Sequence, residues 1–142
     1  PAQPAFYATP SSEQSNLSNG DSAVTVAFGT EIYDVGSDFV NSTFTAPVTG
    51  KYQLNVSLYL KAVDSAAGYM LLGINTSNRN YMNILDPNYA SDLNYMCFSL
   101  SVLADMDAGD AAYIWYQQSG GAAQTDVAND TRGSYFQGFL AC

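Results

Sequence analysis

From Tyr52 to Leu60 every second residue is large and apolar: Tyr52, Leu54, Val56, Leu58 and Leu60, with Gln53, Asn55, Ser57 and Tyr59 between them. Successive side chains of a strand point to opposite faces, so this period gathers the first set on one face, whereas a helix would scatter it around the axis. Lys51–Lys61 is therefore a strand with one face in a core, and a one-residue slip in its register would turn that whole face to water. Met96, Phe98, Leu100, Val102, Ala104 and Met106 repeat the period further along. Two such strands alone cannot hide an apolar face, so the remaining chain has to supply more sheet.

Shorter strand candidates do so. They are Ala5–Ala8, the alternating Val24, Val26 and Phe28, the run Phe39–Thr45, Tyr69–Asn75 and the last eight residues. The polar stretch Pro10–Gly20 with its Asn19-Gly20-Asp21 ending, Gly36-Ser37-Asp38, Thr49-Gly50, Asp86-Pro87-Asn88 and Ala108-Gly109-Asp110 supply turn chemistry between them. About ten short strands in a single domain, residues 1–142, predict an all-β sandwich or barrel. Two stretches read as long exposed loops, Asn75–Asn94 and Gln117–Gly133, the latter containing Ser119–Gln124. Loops of that length tend to carry function, which makes Tyr81, Asn88, Tyr89, Gly120, Gly121, Gln124 and Asp126 the candidate binding residues. No internal repeat, collagen-type Gly-X-Y stretch or heptad occurs.

Composition narrows the chemistry. Four basic against thirteen acidic residues give a net charge of −9, so nucleic acid is not an expected partner, because phosphate binding needs clustered Lys and Arg. Histidine is absent, which removes the usual general base for a Ser or Cys nucleophile and the commonest metal ligand. The only two Glu, Glu13 and Glu31, lie in polar or strand-edge settings rather than the apolar pocket that raises a catalytic carboxyl. Gly120-Gly121 is followed by no Lys-Ser or Lys-Thr and is no phosphate loop. No catalytic residue and no cofactor is expected. Asp105, Asp107 and Asp110 lie close enough to offer oxygens to Ca²⁺, but their spacing matches no standard loop; a solvated acidic turn closing a strand is the favoured reading of the same residues.

No run of about 18 apolar residues is present, so no membrane-spanning helix and no membrane insertion are expected. Cys97 and Cys142 are too few for a disulfide framework and are expected to be free thiols. Asn16, Asn41, Asn55, Asn75 and Asn129 each head an Asn-x-Ser/Thr triplet, which matters only in a glycosylating pathway. Pro1-Ala2-Gln3-Pro4 has neither a basic region nor an apolar signal core. As a native N-terminus it would fit removal of an initiator Met without export; as a processed end it would say nothing.

Three segments in fixed order carry a resemblance. Thr43-Phe44-Thr45-Ala46-Pro47-Val48-Thr49-Gly50-Lys51-Tyr52 comes first, then Ala104-Asp105-Met106-Asp107-Ala108-Gly109-Asp110 before Ile114-Trp115, and last Ser134-Tyr135-Phe136-Gln137-Gly138-Phe139-Leu140. Together they resemble the globular head of the complement-1q and tumour necrosis factor superfamily, over nearly the whole chain from Ala5 to Leu140. The resemblance implies a two-sheet antiparallel jelly roll, termini together at a base, and a homotrimer with aromatic residues between subunits. It places Tyr52, Phe136, Gly138 and Leu140 inward, which by parity turns Tyr59, Tyr95, Tyr135 and Phe139 outward as the trimer interface. Scattered surface aromatics are the alternative reading of those four.

A family built for surface contact implies a non-enzymatic protein. The chain lacks the collagen stalk of complement-type members, and its Ala-, Asn-, Asp- and Ser-rich, Lys-poor composition fits the phage and bacterial versions. The leading expectation is a virion surface protein, either a head decoration protein on a capsid lattice or the tip of a fibre stalk. The alternative is a secreted or cell-surface recognition domain that binds a host receptor or glycan.

Overall fold

The long alternating segments pair with each other. In the computed structural model, which describes residues 2–17 and 20–142, Gly50–Val63 lies antiparallel to Leu93–Met106 in continuous register from Gly50↔Met106 to Val63↔Leu93. Asn19, in the expected turn, and Pro1 lie outside the described residues. In chain order the strands are β1 Ala5–Thr9, β2 Val24–Thr25, β3 Thr30–Val35, β4 Phe39–Val40, β5 Thr43–Thr45 and β6 Gly50–Val63; then β7 Tyr69–Thr76, β8 Asn80–Leu85, β9 Leu93–Met106, β10 Ala111–Ser119, β11 Asp126–Val127 and β12 Tyr135–Leu140.

One sheet runs β9-β6-β12-β1-β3, with β11 succeeding β12 along β6. The other runs β4-β5-β10-β7-β8, with β2 succeeding β5 along β10. Every named pairing is antiparallel. The protein is an all-β, two-sheet sandwich of jelly-roll type. Among the described residues it has twelve strands rather than about ten, because the long loop stretches and the Phe39–Thr45 run each contain additional short pairings.

Alternation put the right residues inside: Tyr52, Leu54, Val56, Leu58 and Leu60 are all buried. Phe6 stacks on Phe39 and Phe44 at centroid distances of 4.9 and 4.6 Å and meets Phe136 edge-on at 4.8 Å. Phe6 and Phe136 belong to the first sheet, Phe39 and Phe44 to the second, so this aromatic cluster ties the two layers. Gly138 makes room for it, since a Cβ there would stand 2.7 Å from Leu54 and 2.8 Å from Phe6. The buried Tyr52 hydroxyl donates to Val48 O at 2.7 Å.

Both expected long loops are corrected. The first contains strand β8, and Tyr81 sits on it, paired with Ile74, with its side chain packed against the core rather than in a loop. The second begins with the end of β10 and contains β11. Gln118, Thr125, Val127 and Ala128 within it are buried. It wraps around Asp64, which is 2% exposed. Asp64 accepts hydrogen bonds from Ala66 N–H at 2.9 Å, Gln118 Nε2 at 3.0 Å and Ala122 N–H. Gln118 Oε1 in turn accepts from the Tyr116 and Thr125 hydroxyls, each at 3.2 Å. The segment is structural because it supplies hydrogen-bond donors to a buried acidic side chain. Gln124 is likewise held, its Nε2 donating to Asp92 at 2.8 Å, and Asp126 accepts from Asn16 N–H at 2.7 Å.

Three outcomes follow from this packing. Phe6→Ala should lower unfolding free energy by about 3–5 kcal/mol in urea titrations. Asp64→Ala strands the Ala66 and Ala122 N–H donors and takes one acceptor from Gln118 Nε2, and should cost about 3 kcal/mol by the same measurement. Replacing Ser119–Gln124 with a short Gly-Ser turn should also destabilise the fold, visible as a lowered urea midpoint. Retention of wild-type stability by either the Asp64 or the loop variant would contradict this account.

Candidate interface on the outer face of the first sheet

The residues between the core positions of the first sheet form its outer face, and the registers arrange them in rows. Nearest the chain ends lies Leu103, Gln53, Phe139; next Ser101, Asn55, Gln137, Tyr7, Tyr33; then Ser99, Ser57, Tyr135; then Cys97 and Tyr59. Tyr33, Tyr7 and Tyr135 form a chain of rings with centroids 6.0 and 5.6 Å apart, and Tyr59 meets Tyr95 at 5.9 Å. The four sequence-predicted residues Tyr59, Tyr95, Tyr135 and Phe139 thus share one face. Tyr95 is 64% exposed and Phe139 43%.

Sequence reasoning missed Tyr7, Tyr33 and Leu103. Tyr7 was legible, since it alternates with the core residues Phe6 and Ala8. Tyr33 was not, because a register irregularity between Tyr7 and Ala8 breaks the parity of β3.

No charged residue stands within these rows. Three of their polar members bond to each other: Ser101 Oγ donates to Asn55 Oδ1 at 2.6 Å, and Gln53 Nε2 donates to Ser101 Oγ at 2.9 Å. Charges stand at the margin, where Lys61 meets Glu13 at 2.6 Å and Arg132 meets Asp130 at 2.7 Å. An uncharged, aromatic centre with a charged rim is the anatomy of a protein–protein interface. Burial, then the neighbouring Tyr135 and Tyr33 hydroxyls, raises the pKa of Tyr7, so that hydroxyl stays neutral at physiological pH.

The remaining sequence-predicted residues do not form one site. Asn88, the 37%-exposed Tyr89, Gly120 and Gly121 lie at the end of the sandwich remote from the termini, while Tyr81 lies toward the opposite end. The Ca²⁺ candidates are separated by their own partners: Arg79 holds Asp105 through Nε at 3.0 Å and Nη2 at 2.8 Å, while Asp110 Oδ2 accepts from Asp107 N–H at 2.8 Å to close the turn. Among the described residues no group of three carboxylate or thiol side chains could hold a metal. Cys97 and Cys142 are free and exposed. Cys97 pairs opposite Tyr59 and Cys142 bonds to Lys51, eight residues away along β6, or about 26 Å at the ordinary strand rise. The termini do lie together, with Leu140 N–H donating to Pro4 O at 3.0 Å.

The fold is that of a two-sheet jelly-roll domain, and comparison with known proteins gives its family. The C1q domain profile matches residues 5–141, and the chain belongs to that family. The globular domain of zebrafish complement 1qA is similar in structure, with a TM-score of 0.66 at 17% identity over 99% of this chain and 98% of that one. Murine APRIL is similar too, with TM-scores of 0.69 and 0.67 at 12% and 11% identity for crystals at pH 8.0 and 8.5, each over 98% of this chain and 99% of that one. No curated protein matches the chain.

The ion pairs predict the acid response. Arg79 holds the Asp105 carboxyl down to about 2, Arg132 does the same for Asp130, and Ser65 followed by Gln124 for Asp92. Each is acidified by folding, so its stabilisation is complete above about pH 4 and is lost as pH falls toward 2. Thermal melts across that window should show Tm falling, and Asp105→Asn should flatten part of the fall. These groups are solvent-facing, so added salt should shrink the effect.

Proposed function

We propose that the protein is a non-enzymatic homotrimeric recognition domain, closed through the tyrosine face of its first sheet. The observation that carries this reading is the uncharged aromatic centre of that face, in a chain of the C1q domain family. A monomer would leave Tyr33, Tyr95, Leu103 and Phe139 in water, each between 43 and 64% exposed. Three copies around an axis would cover them, as the resemblance to complement-1q and necrosis-factor heads implies.

Such a trimer leaves both ends of the sandwich free. The base carries both termini. The opposite end carries Asn88 and Tyr89, where Asp92 ties the Ser65 and Gln124 segments together. On a virion, the setting that the Lys-poor composition supports, the base grips a capsid lattice or fibre stalk. In the extracellular setting, which the family is compatible with, the opposite end meets a receptor or glycan. Changing Asn88 and Tyr89 to Ser should spare attachment in the first setting and abolish capture in the second, as read by pull-down with the relevant particle or cell.

Light scattering should give three times the 15.2 kDa chain mass. Phe139→Asp, which would bury a charge without a partner, should return the chain mass. A monomer at micromolar concentration for the unaltered chain would refute the trimer.

A further inference from the structure

The sheet on the other side of the sandwich carries a groove of about 250 Å³ on its outer face. It opens where β5 gives way to β2 along one edge of β10: β5 pairs with Ala111–Tyr113 and β2 with Trp115–Tyr116. Trp115, the only tryptophan, forms its floor and is 8% exposed. The indole lies across Gly73, where a Cβ would stand 1.9 Å from the ring, and its Nε1–H donates to Asn80 Oδ1 at 2.8 Å. Its position is therefore set before any ligand arrives. Around it stand Asn75, Tyr113, Gln117 and Thr25. The side-chain amides of Asn75 and Gln117 and the hydroxyls of Tyr113 and Thr25 have no hydrogen-bond partner among the described residues.

We propose that this groove binds a neutral saccharide. A sugar hydroxyl donates and accepts at once, and a carboxamide is the side chain that offers both functions without charge. Two free amides and two free hydroxyls around a pinned aromatic floor give the few convergent polar groups on an apolar base that small-ligand sites use. No Lys, Arg, Asp or Glu lines the groove, so an ionic ligand finds no counter-charge there, and the chain's net charge of −9 disfavours anions. An extended peptide would need an open ladder to pair with. The β10 edge offers none there, because Val26 N–H donates to Ile114 O at 3.0 Å. A preset indole also lowers the ordering cost of binding. The groove is complete within one chain, so it goes beyond the trimer reading, and the two can fail separately.

The experiment probes an array of neutral and sialylated oligosaccharides with the full labelled chain, then titrates each hit while following Trp115 emission. Because no other tryptophan exists, an emission shift reports this groove directly. Neutral saccharides should bind and shift the emission. Asn75→Ala and Gln117→Ala should each weaken binding about tenfold, the loss of a hydrogen bond or slightly more, with melting temperature and light-scattering mass unchanged. Gln117→Glu, which keeps the shape and adds a charge, should weaken it as well. Binding confined to sialylated members, binding unmoved by all three substitutions, or no binding anywhere on the array would overturn the proposal. So would an emission shift given by an extended-peptide library and not by the saccharides.

Discussion

Everything in this molecule is hung on β6. It is the one strand that pairs along its full length with β9 on one edge and with β12 and then β11 on the other. Because its side chains alternate strictly, that single register decides the two faces of the whole first sheet together. Tyr52 through Leu60 go to the core, and Gln53 through Tyr59 go to the outer surface where the tyrosines collect. A bulge within β6 would swap those roles part-way along and break both the core and the candidate interface.

The two faces of that sheet meet different demands. The inner face is sealed by aromatic rings from both layers, with Gly138 leaving the space that Phe6 fills. The outer face bonds Gln53, Asn55 and Ser101 to one another and keeps its ions at the margin, so it can be dried without stranding a charge. A surface built that way is compatible with close contact to other copies, and this is the link from packing to the trimer reading. The second sheet differs: on its outer face an indole is laid flat over a glycine with free amides beside it, which makes a recess.

Asp64 shows how a polar residue can organise chain that looks like loop. A buried carboxylate must be supplied with donors, and here they come from Ala66, Gln118 and Ala122. That requirement pulls residues 119–125 inward, and Asp92 then binds the neighbouring segments through Ser65 and Gln124. Gly121 in that stretch serves close approach, since it faces Asp64 too tightly for any Cβ.

The sequence by itself determined what depends on local period and on residue chemistry. Alternation in β6 and β9 settled the strands and their core face, parity put Tyr59, Tyr135 and Phe139 outside, and the three motif segments pointed to the family that the C1q domain profile then matched. Only the tertiary structure decided what depends on partners distant in the chain. Nothing local marks Tyr33 as a neighbour of Tyr7, because the register irregularity in β3 hides its parity. Nothing local marks Asp64 as the hub of a segment some 60 residues later, since Ser- and Gly-rich composition reads as loop whether or not its backbone is bonded to a buried acid. The same holds for Asp105, whose carboxylate belongs to Arg79 rather than to a cation, and for Trp115, whose floor exists because Gly73 lies beside it on another strand. Period is written in one segment, but hydrogen-bond satisfaction and steric fit belong to pairs of segments, and the fold alone brings those pairs together.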